Sequence, residues 1–192
     1  LSPAKLETAA DLFAIHTLGF RGEALASIGA VARMEIHTRA TGEAAAAQVS
    51  VEGGRISRVR PIGAPPGTLV RVRDLFFNVP ARLKFLKSDL TERRRIEALV
   101  GRYALAYPSV RCRLEDGARV VLQSSGSGES REALAAVLGL DVAREMIALP
   151  AAEAGGLRVR GFISPPSVQR SNRREITFFV NGRWVQDASL SA

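Results

Sequence analysis

The run Leu18-Gly19-Phe20-Arg21-Gly22-Glu23-Ala24-Leu25-Ala26-Ser27-Ile28 constrains this chain more than any other stretch. Gly19 and Gly22 bracket a Phe-Arg pair, and Leu25, Ile28 and Val31 then mark one face of a short helix. Glycine accepts positive φ and lets other groups come close to the backbone, so the run reads as a loop feeding a helix N-terminus with uncovered amides. The helix dipole and its free N–H groups favour an anion there, and Arg21 adds a charge-assisted contact to phosphate. The same spacing also suits an ordinary loop-to-helix junction, because Glu23 is at home in any helix first turn. Spacing alone leaves both readings open.

The 192 residues suffice for one domain or two small ones, and 46% hydrophobic with 24% charged residues is globular usage. No apolar run reaches the roughly 18 residues of a membrane span, and no basic-then-apolar leader opens the chain, so a cytoplasmic protein is expected. Cys112 is the single cysteine, which excludes an internal disulfide, and its alternation with Arg111 and Arg113 reads as a buried strand residue. His16 and His37 stand alone, so no metal site built by the chain is expected. A net charge of +8, nearly all from arginine, makes nucleic acid a plausible partner, although a host's general composition gives the same balance. The chain opens at Leu1 and stops at Ser189-Leu190-Ser191-Ala192 without a helix stop, and so reads as a piece of something longer.

Helical spacing runs from Lys5 to Ile15, and a second helix starts near Arg21. Met34 to Arg39 alternates as a strand; Gln48–Glu52 and Arg55–Arg60 flank Gly53-Gly54 as a hairpin; Leu69–Arg73 is a further strand after a turn-rich approach. An antiparallel sheet is implied. The chain continues Asp74-Leu75-Phe76-Phe77-Asn78-Val79-Pro80-Ala81-Arg82-Leu83-Lys84-Phe85, in which Phe76, Phe77 and Phe85 are expected as core anchors and Pro80 as the turn into a helix.

Together with Gly67-Thr68, this block and the Gly19–Ile28 run, in this order and separation, resemble the MutL family of DNA mismatch repair ATPases. The resemblance extends to the C-terminus. It implies an α+β fold: part of a two-layer α/β sandwich of the GHKL ATPase type, followed by the start of a ribosomal-protein-like α/β second domain. It also implies ATP as the ligand of a split site, with the lid formed by Gly19, Phe20, Arg21, Gly22, Glu23, Ala24 and Leu25, and with Thr68 placing a hydroxyl beside the adenine. Read without the family, Thr68 simply opens a strand. Just before the lid the family carries a His-Ala-Thr-Ser-Lys segment, of which only Lys5 is matched here. The Glu that activates water, the Asn that holds Mg and the adenine-reading Asp-x-Gly-x-Gly loop have no counterpart in these residues. Taken as a separate molecule, the chain is therefore expected to supply no catalytic residue and no metal ligand.

Asp89-Leu90-Thr91-Glu92 opens a long amphipathic helix that Pro108 ends. Its Arg93, Arg94, Arg95 and Arg102 are either a solvated face or a contact to DNA. Val110–Leu114 and Arg119–Gln123 pair through Asp116-Gly117. Ser124–Gly128 is small and polar, so residues 1–123 are expected as the later part of the ATPase domain, 124–128 as a linker and 129–192 as the start of the second domain. There a helix spans Arg131–Leu138, with strands over Leu157–Ile163 and Glu175–Val180. Asn181-Gly182 then turns the chain into Arg183-Trp184-Val185. Val180-Asn181-Gly182-Arg183 matches a family motif whose Arg takes part in DNA binding, and Arg170, Arg173 and Arg174 make a second phosphate contact in this reading. The family further implies a mismatch-recognition protein and a downstream nuclease or helicase as partners, a homodimer, no membrane contact, and a bacterial, nucleoid-associated location. Two alternatives stay open: a nucleotide-independent DNA-binding module, and a GHKL ATPase of the topoisomerase branch.

Overall fold

The computed structural model describes residues 23–168 and 176–187, which pack as two compact units divided between Lys87 and Ser88. The helix expected over Lys5–Ile15 lies outside the described residues, as do Lys5, Gly19, Phe20, Arg21, Gly22, Arg170, Arg173 and Arg174.

In the first unit helix α1 (Ala24–Val31) covers one face of an antiparallel sheet. The sheet is ordered β3 (Arg55–Ile56), β2 (Ala46–Glu52), β1 (Arg33–Arg39), β5 (Gly67–Arg73), and β4 (Arg60–Ile62) also pairs with β2. Alternation places Met34, Ile36 and Thr38 on the helix-facing side, beside Val72, Val70 and Thr68 of β5 and Val51, Val49 and Ala47 of β2. Gly29 is buried there because a β-carbon at this position would stand 2.8 Å from Val51 Cγ1 and 3.1 Å from Met34 Cε. The opposite face is polar: Arg71 donates to Glu35 (3.1 Å), and His37 Nε2 lies 2.8 Å from the same carboxylate.

The expected hairpin forms, with Gly53 and Gly54 both at positive φ in its two-residue turn. Its second strand is shorter than Arg55–Arg60. After Ile56 the chain bulges, and the Ser57 hydroxyl takes the Ser50 N–H (2.9 Å) in place of a backbone carbonyl; pairing resumes at β4 one residue out of register. Pro80 opens the single-turn helix α2 (Pro80–Leu83), as expected. The phenylalanine anchors are a correction. Phe76 is half-buried, but Phe77 and Phe85 are exposed, Phe85 at 80%, because α2 is one turn long and carries Phe85 past its end.

The second unit is built on α3 (Asp89–Ala106), whose cap is Ser88 rather than Asp89, and which ends before Pro108. Hairpin β6 (Arg113–Asp116)–β7 (Arg119–Gln123) turns at Gly117. The next segment departs from expectation. Ser124 is 2% exposed, its hydroxyl accepting from Cys112 N–H (2.9 Å) and donating to the Val110 carbonyl (3.2 Å), while Cys112 itself is only half-buried. Gly126 packs on the Arg111 backbone, so Ser124–Gly128 is a stitched loop rather than a free spacer. It leads into α4 (Ser130–Leu138), which Gly139 stops at φ 90°. Helix α5 (Leu140–Glu145) and strand β8 (Ile147–Ala154) follow, neither of them anticipated, and β8 pairs with β9 (Leu157–Ile163). Arg131 ties these elements together, donating to the carbonyls of Ala143 (2.6 Å) and Met146 (3.1 Å) with its guanidinium 5.5 Å from the Phe162 ring. Hairpin β10 (Phe178–Val180)–β11 (Arg183–Val185) closes the unit.

The hydroxyls of Ser125 and Ser127 converge on Glu132 Oε2 at 2.6 and 2.7 Å, and these two bonds, Ser125's first, hold its carboxyl below the ordinary glutamate range. A depressed folded-state value stabilises the fold above the unfolded value, and that stabilisation is lost as pH falls through the folded one. Glu132→Gln should therefore lower the melting temperature at neutral pH and leave it unchanged at low pH. Thermal melts across the acid range check this, and parallel curves for the two proteins would contradict it.

Candidate functional site

Of the expected nucleotide-binding residues, the described structure contains Glu23, Ala24, Leu25 and Thr68. Glu23 is the N-cap of α1 and its side chain makes no capping hydrogen bond; no acidic residue follows in the first turn. The Glu23 carboxylate thus leaves the amides opening α1 their donors, and no following acid opposes the positive end of the dipole. Glu23, Ala24 and Leu25 are all exposed.

Thr68 lies on the sheet face that α1 covers. It pairs with Thr38 across β1 and β5, and the two hydroxyl oxygens are 2.9 Å apart. From Met34, beneath Gly29, to Thr38 is four residues of strand, about 13 Å, while α1 runs about 7 Å back from Gly29 to Ala24. Only Ala32 separates helix from strand, so α1 folds back over β1 and shares one face with Thr68. The two hydroxyls hold two protons between them. When Thr38 donates to Thr68, the Thr68 O–H stays free to donate to a ring nitrogen. Thr38 joins Thr68 as a candidate that sequence reading did not offer, because only cross-strand register brings it there.

On the second unit, Arg183 follows the turn Asn181-Gly182, both at positive φ. A β-carbon on Gly182 would fall 2.3 Å from Tyr107 Oη, so the turn lies directly on the end of α3. Next in line, Trp184 stacks beneath the Arg102 guanidinium at 3.9 Å. Of the other α3 arginines, Arg93 pairs with Asp116 (2.6 Å) and Arg95 with Glu92 (3.0 Å), so this face is largely engaged within the unit. Among the described residues no group of three His, Cys, Asp or Glu is placed to hold a metal ion, and no helix is long and apolar enough to cross a membrane.

Residues 134–192 match the family described as DNA mismatch repair protein, C-terminal domain. The chain is 48% identical over 189 residues to the DNA mismatch repair protein MutL of Desulforudis audaxviator, covering 98% of this chain and 33% of that protein. It is 42% identical over 187 residues to MutL of Listeria monocytogenes, covering 97% of this chain and 31% of that protein. It thus spans about a third of the length of these curated relatives. Among solved structures it resembles the Aquifex aeolicus MutL ATPase domain complexed with ADP, at 33% identity and a TM-score of 0.74 over 96% of this chain and 69% of that one.

Proposed function

This chain belongs to the MutL family of DNA mismatch repair proteins, and we propose that it supplies the lid helix and adenine-side strand of an ATP site together with the opening of a DNA-binding domain. The observation that carries the nucleotide reading is the start of α1, which Glu23 does not cap with its side chain, on the same sheet face as the Thr38–Thr68 hydroxyl pair. An anion of the triphosphate class suits the first, and a heterocycle with ring acceptors suits the second. The ADP in the Aquifex aeolicus domain supports the same assignment. In this reading the amides of Ala24 and Leu25, with Gly19, Phe20, Arg21, Gly22 and Lys5 upstream, take the phosphates, and Thr68 orients the base. Glu23 acts through its backbone.

In the second unit Arg183 approaches DNA from a hairpin fixed on α3, with Arg170, Arg173 and Arg174 as further phosphate contacts and a net charge of +8 drawing the polyanion in. A second-domain start near residue 129 is supported by the family match beginning at 134. Nucleotide-driven lid closure would couple ATP to dimerisation and to the mismatch-recognition protein and downstream nuclease or helicase. DNA as the partner places the protein at the bacterial nucleoid.

Titrating labelled ATP and labelled duplex DNA against the complete natural polypeptide tests the reading. Saturable ATP binding is expected, weakened roughly three- to tenfold by Thr68→Val, the worth of one hydrogen bond. DNA retention that falls with salt in the absence of any ATP signal would instead establish a nucleotide-independent DNA-binding module.

A further inference from the structure

The C-terminal end of α1 is gripped from two sides. The carbonyls of Gly29, Ala30, Val31 and Ala32 accept, in turn, from Gly54 N–H (2.9 Å), the Asn78 side-chain amide (2.9 Å), Phe76 N–H (2.7 Å) and Gly53 N–H (3.3 Å). Three of the four donors are backbone groups; Asn78 is the one side chain. The donors come from two places: the β2–β3 turn and the loop after β5.

That loop holds an uncommon shape. Asp74 and Phe76 both have positive φ, at 52° and 65°, a region non-glycine residues rarely occupy. Arg33 braces it, donating to Asp74 (2.8 Å) and to Glu52 (2.9 Å) with its guanidinium 5.0 Å from the Phe77 ring centre. Gly53 fits because a β-carbon there would already stand 3.3 Å from the Asn78 amide nitrogen. One arginine thus links strand β1, strand β2 and the loop that carries Asn78.

An isolated helix of eight residues is marginal in water, so its direction is set by whatever holds it. Among the described residues the hold is at the C-terminal end and at Gly29, while the N-terminal end carries the amides. Small displacements at a binding group cost affinity steeply.

We propose that Asn78, braced through the Arg33–Asp74 pair, is a positioning residue for the lid, setting the angle at which the first turn of α1 meets the phosphates. The proposal rests on the nucleotide reading of α1, and its test separates the two. Asn78→Asp keeps the shape of the side chain and removes its donor. In the complete natural polypeptide it should raise the ATP dissociation constant about three- to tenfold, the worth of one hydrogen bond, with the number of binding sites per chain unchanged. Amide exchange over Ala26–Val31 should quicken without nucleotide. Arg33→Lys, which cannot reach Glu52 and Asp74 with the same fork, should act in the same direction and serves if Asn78→Asp fails to fold.

An unchanged dissociation constant, or a loss that appears only as fewer sites per chain, would overturn the positioning role, because a merely structural residue alters how much protein is folded rather than how tightly folded protein binds. Faster exchange in α1 of Asn78→Asp, with no ATP bound by the wild type, would instead leave the grip intact and remove the nucleotide reading together with the role built on it.

Discussion

Arg183→Glu is expected to cut retention on duplex DNA about tenfold or more near 0.1 M salt and to reduce the slope of log K against log salt by about one. The size follows from where the residue sits. Arg183 follows a turn pressed against Tyr107, and its neighbour Trp184 is fixed under Arg102, so its backbone is delivered to one place rather than sampled by a loose loop. A cation placed in advance loses less entropy on meeting phosphate, and its reversal puts a repelling charge at the same spot. Filter retention across a salt series measures both quantities. Equal retention and slope in wild type and variant would remove this hairpin from the DNA-facing surface.

Gly29→Leu is expected to destabilise the first unit by about 2 kcal/mol, within the ~1–3 kcal/mol usual for overpacking a filled core. A single β-carbon would already be 2.8 Å from Val51 Cγ1 and 3.1 Å from Met34 Cε, and Leu adds three further carbons. Leaving glycine in a helix interior returns about 1 kcal/mol at most, too little to offset the clash. For a unit of this size the melting temperature should fall by roughly 10 °C. Circular dichroism melts read it directly, and an unshifted midpoint would show that α1 does not pack on the sheet through Gly29.

Sequence reading succeeded where a structure is decided locally. Gly53-Gly54 and Asn181-Gly182 each turned a hairpin, and the turn read at Asp116-Gly117 lies one residue on, at Gly117-Ala118, since a two-residue turn demands positive φ and announces itself in composition. It failed where neighbours decide. Strand β8 is alanine-rich and carries Pro150 at a register shift, so nothing in its own residues favours extension, and it is defined by pairing with β9. Arg131 looks like any solvated helix arginine, yet it caps α5 and lies beside Phe162. The same division runs through the candidate site. Glu23, Ala24, Leu25 and Thr68 are offered by a motif, whereas Thr38 depends on register and the Asn78–Ala30 bond joins residues 48 apart. Phe85 shows the opposite error: a large apolar side chain was read as core although its single-turn helix leaves it exposed.

The chain has a single tryptophan, and it is the residue beside Arg183 with a guanidinium stacked on its ring. Its fluorescence is therefore a built-in optical probe of one hairpin. Emission should change when a polyanion draws on Arg183 or when Arg102 lifts away, while nucleotide arriving at α1 has no indole nearby to perturb in its own unit. A spectral response to ATP alone would consequently report an effect that reaches the second unit, with no label attached.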